Sequence, residues 1–295
     1  MKPNNTALDI KGITVLIIIC ASWGLNQVAI KTAIAGVSPI LQAGIRSIGS
    51  SLLVLIWMYI RHIPIFSKDK TLWWGILVGL LFSVEFVFIY WGLEFTNASR
   101  AVIFINTAPF IVALGARLFI PGETLSRSQV SGLCLAFAGI LIAFNESLSL
   151  PTPQMLIGDA MLLVAAVLWG ATTVIIKASP LAFIAPGKTL LYQLAVSALV
   201  LPVSSVVFEE SGITGITPLI AGSLFYQIFW IAFVTYIAWF WLIRNYSVSR
   251  LASFTFLSPF FGVVAGAVLL NEKITLFLVC ALVLVGAGIY LVNRR

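Results

Sequence analysis

Along the 295 residues, apolar side chains come in long runs separated by short polar breaks. A helix needs about 20 mostly apolar residues to cross the hydrocarbon of a bilayer. Runs of about that length predict ten membrane-spanning helices, at 12–33, 39–60, 71–93, 99–119, 128–144, 157–178, 186–208, 219–243, 250–270 and 275–292. The fifth run is the shortest, and the connections between runs are brief. The fold class expected is therefore an all-α polytopic membrane protein.

Composition agrees. The chain is 61% hydrophobic and 9% charged, against about 25% charged for a soluble domain. The opening residues lead through Lys11 into an apolar run that continues past Trp23 without a small-residue cleavage site, so the first run is expected to be a retained span. The net charge of +7 takes its meaning from placement. With the N-terminus on the cytoplasmic side, 13 of the 17 Lys and Arg fall on that side and three (Lys31, Arg100, Lys273) on the other, with Arg46 inside a span. Positive charge is retained in the cytoplasm, so both termini are expected there, in a multi-pass membrane protein. The cations then read as topology signals and headgroup contacts, not as a nucleic-acid surface. Trp73, Trp74, Tyr90 and Trp91 fall at predicted span ends and read as interfacial anchors. The cysteines, Cys20, Cys134 and Cys280, lie in apolar runs and read as small hydrophobes. With one histidine and no CxxC, no metal site and no cofactor is expected.

The chain repeats itself. Trp23-Gly24 through Lys31 returns as Trp169-Gly170 through Lys177. Tyr90-Trp91 through Ser99-Arg100 and Pro109-Phe110 returns as Phe240-Trp241 through Ser249-Arg250 and Pro259-Phe260. Glu123 returns as Glu272, and Gly139-Ile140 as Gly288-Ile289. This divides the chain into 1–147 and 148–295, with the proline-bearing stretch 145–156 as an external hinge. Each half holds five spans. Five is odd, so the second half enters the membrane from the opposite face, the inverted repeat of many secondary transporters. The substrate site of such a protein lies at the repeat interface near the midplane.

These motifs resemble the drug/metabolite transporter superfamily, in particular bacterial proteins with two EamA domains. The first-span Trp-Gly ending is similar to Trp23-Gly24 and Trp169-Gly170. The family's long motif is similar to Tyr90-Trp91-Gly92-Leu93, Ala98-Ser99-Arg100, Pro109, Gly122-Glu123, Leu125-Ser126, Gln129, Gly132 and Gly139. In the second half, Ile243-Arg244-Asn245-Tyr246 and Asn271 depart from it. The resemblance implies ten helices in a basket around a central cavity, with the fifth and tenth peripheral. It also implies export or exchange of small metabolites, amino acids or amphipathic drugs.

Polar residues at depth are the candidate chemistry. A charge at the bilayer centre costs about 2.5–3.5 kcal/mol on insertion scales. Glu85 in the third run and Arg46 in the second lie about 10–12 Å below the same face. Three roles for Glu85 stand open: an ion-pair partner of Arg46, a contact to a substrate cation, or a proton carrier that would make transport proton-coupled. Its repeat counterpart is Thr235, so the acid belongs to one half only. The candidate cavity also takes in Trp23, Asn26, Gln27, Asn106, Trp169, Thr173, Tyr226, Gln227, Tyr236 and Trp239, as amide, hydroxyl and aromatic groups suited to orienting a small molecule. Packing and interhelical hydrogen bonding account equally well for any one of them. Pro109 and Pro259, at matching places, are candidate kinks and gates. Gly75/Gly79 and Gly262/Gly266 read as close-packing pairs. Asp159 reads as a solvated first-turn acid.

The expected function is secondary transport of a small metabolite by alternating access. Uptake in place of export, a channel, and an intramembrane enzyme resting on Glu85 are the alternatives. No HExxH, GxSxG or mid-span aspartate pair supports an enzyme.

Overall fold

The computed structural model describes residues 8–65, 67, 69–145, 150–270 and 276–294, with side chains described outside 266–270. Met1 to Ala7, Glu272 and Lys273 lie outside the described residues, and with them the Glu123–Glu272 correspondence and part of the charge count.

Ten helical segments follow one another. They are α1 (Ile10–Ile34), α2 (Pro39–Ile60), α3 (Leu72–Phe95), α4 (Ala98–Phe119), α5 (Arg127–Ala143), α6 (Pro153–Ala178), α7 (Pro186–Val207), α8 (Pro218–Asn245), α9 (Val248–Phe254, a 3₁₀ turn at Thr255–Leu257, then Ser258–Leu270) and α10 (Leu276–Asn293). Nine of them are long and apolar enough to cross a membrane among the described residues, and α5 is a shorter apolar helix. The starts are set by local chemistry. Asp9, Asn97, Ser126, Thr152 and Thr217 each turn a side-chain oxygen onto the backbone N–H three residues on, satisfying a donor that has no partner within the helix. Ser126 and Gln129 form a reciprocal capping box. Prolines open α2, α6, α7 and α8, where a missing N–H costs nothing. The stretch expected as a hinge is therefore partly helix, since α6 begins at Pro153.

The packing is almost wholly between halves, and the contacts come in matched pairs. Helix α1 packs on α9 as α4 packs on α6. Helix α3 packs on α6 as α8 packs on α1, and on α7 as α8 packs on α2. The counterpart pairs α2–α7 and α5–α10 pack on each other. This is the arrangement of two inverted five-helix repeats related by a twofold. Small residues set the closest approaches. A Cβ on Gly24 would lie 2.6 Å from the backbone of Ser258 and of Gly262, and one on Gly170 would lie 2.7 Å from Ile111. Each Trp-Gly pair thus lodges its glycine just beyond the proline of the other half. A Cβ on Gly132 would come 2.6 Å from the carbonyl oxygen of Gly288, and one on Gly288 would come 2.5 Å from that of Gly132. Gly75 and Gly79 lie against Tyr192 and Val196 of α7.

Two spans are interrupted in matching places. Helix α4 breaks at Asn106–Thr107, just ahead of Pro109, and α9 passes through its 3₁₀ turn just ahead of Pro259. A proline ring displaces the carbonyl four residues back and removes one donor, so the interruption falls on the turn before each ring. Helix α8 differs from its counterpart α3. It winds as a π-helix over Tyr226–Thr235, a rare conformation that often marks functional positions.

Several outward readings change. Asp159 is buried and paired with Arg100 through both carboxylate oxygens. A first-turn acid would be solvated only if that face of α6 were open, and α3 and α4 cover it. Lys177 is buried and donates to the carbonyls of Ile243, Arg244 and Tyr246 at 2.7–3.2 Å, closing the C-terminal end of α8. Tyr90 is buried, whereas Trp73, Trp74 and Trp91 are exposed. Cys20 is packed inside, while Cys134 and Cys280 point off the bundle on α5 and α10.

Candidate functional site

The site is built where α1, α2, α3 and α8 meet. Arg46 and Gln42 stand one turn apart on α2 and are 1% and 0% exposed. Glu85 on α3 is 7% exposed, Asn26 on α1 is 7%, and Gln227 on α8 is 1%. Counted along their helices, Asn26, Arg46, Glu85 and Gln227 lie about 10–15 Å from the same ends of the bundle. Each keeps at least one buried polar atom with no partner among the described residues: Oδ1 of Asn26, Nε and Nη2 of Arg46, Oε2 of Glu85 and Nε2 of Gln227. Oε1 of Gln42 does so too. Such atoms are uncommon in a folded interior, where an unsatisfied group costs about 1–3 kcal/mol.

Arg46 and Glu85 do not form an ion pair. The pairs among the described residues are Arg100–Asp159 and Lys188–Asp69. The Arg46 guanidinium lies over the Phe86 ring, 4.5 Å from its centroid. Phe86 is the next residue after Glu85, so it sits about 100° around α3, and the ring rather than the carboxylate meets the guanidinium face. Aromatic rings line the space around this level. Phe82 meets Phe86 at 4.9 Å and Tyr236 at 6.1 Å, and Trp23 meets Tyr236 at 6.0 Å and Trp239 at 5.3 Å, all edge to face. The Trp23 Nε1 donates to Thr235 Oγ1 at 3.0 Å, and Thr235 donates to the Ile231 carbonyl at 2.6 Å. The repeat counterpart of Glu85 therefore orients a ring of the site and carries no charge.

The other predicted residues divide. Tyr226 donates to the Ser22 carbonyl at 3.1 Å and lines a cavity of about 320 Å³ between α1 and α8. A second cavity, of about 460 Å³, lies lower between α1, α2, α7 and α8 and is lined by Lys11, Trp57 and Trp241 among others. Glu85 lines neither of these two. Gln27 does not join the site. It is exposed on the stripe of α1 that carries Lys31, because one helical step turns it about 100° from Asn26. Asn106 binds the Val102 carbonyl of its own helix at 2.7 Å. Asn106, half-buried Trp169 and buried Thr173 sit on α4 and α6, the mirror side of the twofold from Trp23, Tyr236 and Trp239. Gln42 and the π-helical register of α8 were missed. The polar spacing of Gln42 and Arg46 at i, i+4 in an apolar run was the available signal.

Polar anchors close both ends. On one face Glu210, in the α7–α8 connection, accepts from Ser38 Oγ, Ile40 N and Leu41 N at the start of α2. On the other, Lys188 of α7 pairs with Asp69 at 2.6 Å and bonds Ser67, and Glu123 accepts from Ser247, Val248 N and Ser249 at the start of α9.

The EamA-like transporter family matches the chain twice, at residues 10–145 and 156–294. The uncharacterized transporter YvbV of Bacillus subtilis is 30% identical, over 92% of this chain and 88% of its own length. A probable amino-acid metabolite efflux pump of Salmonella typhimurium is 29% identical, over 93% and 92%. One crystal structure shares the fold at 17% identity with a TM-score of 0.84, covering 95% of this chain and 96% of that one. Two copies of the family's module, folded as ten helices with matched contacts between halves, make this chain a member of the EamA-like transporter family.

Proposed function

We propose that this transporter exports or exchanges small metabolites, amino acids and related amphipathic compounds, by alternating access. The two five-helix halves rock about the interior level of Arg46 and Glu85, exposing it to one side at a time. The protein sits in the bacterial inner membrane with both termini cytoplasmic. The observation that carries this reading is the group of buried polar atoms on four helices that have no partner among the described residues. A small polar molecule supplies such partners, and the surrounding rings accommodate an apolar portion. The efflux-pump name of the Salmonella relative supports the cargo class and the direction. The breaks before Pro109 and Pro259 suit the bending such a cycle needs.

Saturable counterflow of labelled amino acids in proteoliposomes tests this. Uptake that depends on unlabelled solute inside is expected. Flux rising linearly with concentration would favour a channel, and no flux of any solute would remove the transport reading for this cargo class.

A further inference from the structure

Two arginines on this chain can be compared directly. Arg100 presents its Nε and Nη2 edge to both oxygens of Asp159, with Nε at 3.1 and 3.2 Å. This is the side-on fork by which a guanidinium holds a carboxylate. Arg46 is 1% exposed, and the same two nitrogens, Nε and Nη2, meet no acceptor among the described residues. Its ring partner, Phe86, covers the guanidinium face and leaves the fork edge unused. Glu85, 7% exposed, meanwhile keeps Oε2 without a donor.

We infer that Arg46 and Glu85 are the two poles of a clamp for a zwitterion: Arg46 takes a carboxylate on its Nε/Nη2 edge, and Glu85 takes an ammonium on Oε2. The inference deepens the transport reading and rests on it. The unpartnered atoms point the same way. A zwitterion bound across the two meets both, its carboxylate on the Arg46 edge and its ammonium on Glu85 Oε2. A simple cation meets Glu85 and leaves the Arg46 edge bare, and a simple anion does the reverse, each leaving a buried polar group unsatisfied. Gln227 adds an amide at the same level, and Gln42 another one turn from Arg46. The flanking Phe82, Tyr236 and Trp23 rings give the third substituent of an α-amino acid an apolar wall. The repeat relation explains why the clamp occurs once. The position matching Glu85 is Thr235, committed to Trp23 and Ile231, and the π-helical stretch of α8 ends at that residue.

The test uses three probes of one shape: labelled leucine, 4-methylpentanoate, which lacks the ammonium, and 3-methylbutylamine, which lacks the carboxylate. Counterflow is measured in proteoliposomes for the wild type, Arg46→Gln, Arg46→Lys and Glu85→Gln, with thermal unfolding in detergent as the check that each variant folds. The wild type is expected to move leucine and to discriminate against both truncated probes by about tenfold or more, the loss of one hydrogen-bonded charge. Glu85→Gln is expected to erase the preference for leucine over 4-methylpentanoate, and Arg46→Gln the preference over 3-methylbutylamine. Arg46→Lys restores part of the latter. A wild type that moves leucine and either truncated probe equally well overturns the clamp and leaves transport standing. So do folded variants whose preferences match the wild type. A wild type that moves a different solute saturably but none of these three overturns the clamp alone, and one that moves no solute at all removes the transport reading with it.

Discussion

Glu210 reaches across the repeat boundary and holds the first turn of the helix that begins after Ser38. Its two carboxylate oxygens accept from Ile40 N at 2.9 Å, Leu41 N at 3.0 Å and Ser38 Oγ at 3.0 Å. Ser38 makes no side-chain cap of its own, so a carboxylate from the other half does that work, at the positive end of the helix dipole. Glu210→Ala is expected to cost about 1–2 kcal/mol of stability, read as a lowered unfolding midpoint in detergent, with Glu210→Gln losing less. An unchanged midpoint for both variants would mean the contact does not hold the halves together.

The Gly24 contact predicts a steric result. A Cβ there would fall 2.6 Å from main-chain atoms of α9, which cannot swing aside as a side chain can. Gly24→Ala is expected to destabilise the fold by about 1–3 kcal/mol. Gly222→Ala is the control, since nothing lies within 4 Å of a Cβ at that position. There the change is expected to be neutral or to stabilise the helix by up to about 1 kcal/mol. Equal unfolding midpoints for the two variants would contradict the close approach of α1 and α9.

The buried pair Arg100–Asp159 predicts an asymmetry between single and double substitutions. Asp159→Asn leaves a guanidinium in the interior without its counter-charge and is expected to cost about 3–5 kcal/mol. Replacing both partners, Arg100→Met with Asp159→Leu, removes the charge along with its partner and is expected to recover most of that loss. Additive losses from the two sites in a double-mutant cycle would show that the pair is not coupled.

Acid should loosen the face that carries Asp9 and Asp69. Burial raises the Asp69 carboxyl, but hydrogen bonds from Lys188, Ser67 and Thr71 outweigh it and hold the group well below the usual carboxylate range. The Gly12 N–H and the Tyr246 hydroxyl lower Asp9. For groups depressed in the fold, the stabilisation is complete above the unfolded value, about 3.9. It is lost as pH falls from there toward the folded values. The unfolding midpoint should therefore drop as pH goes from 5 to 3. Asp69→Asn should lower the midpoint at pH 7 and flatten that acid slope. A slope identical to the wild type would remove Asp69 from the account.

The ten spans, the internal repeat and its inversion were legible in the sequence, because each is written in local chemistry. Apolar run length, cap residues and the order of a few motifs need no knowledge of what faces what. The second span was predicted at 39–60 and begins and ends there, and the prolines that interrupt α4 and α9 stood at matching places in the chain. The partners of the polar residues were not legible. Depth along a helix put Arg46 and Glu85 at one level, but rotation about the helix axis put Phe86 against the guanidinium. Rotation likewise separated Gln27 from Asn26. Asp159 found Arg100 at a separation of 59 residues, and Glu210 found α2 at about 170. In a chain that is apolar on nearly every face, hydrophobic periodicity says little about which side of a helix turns inward. Only the packing of one half against the other decides which buried polar groups meet, and which do not.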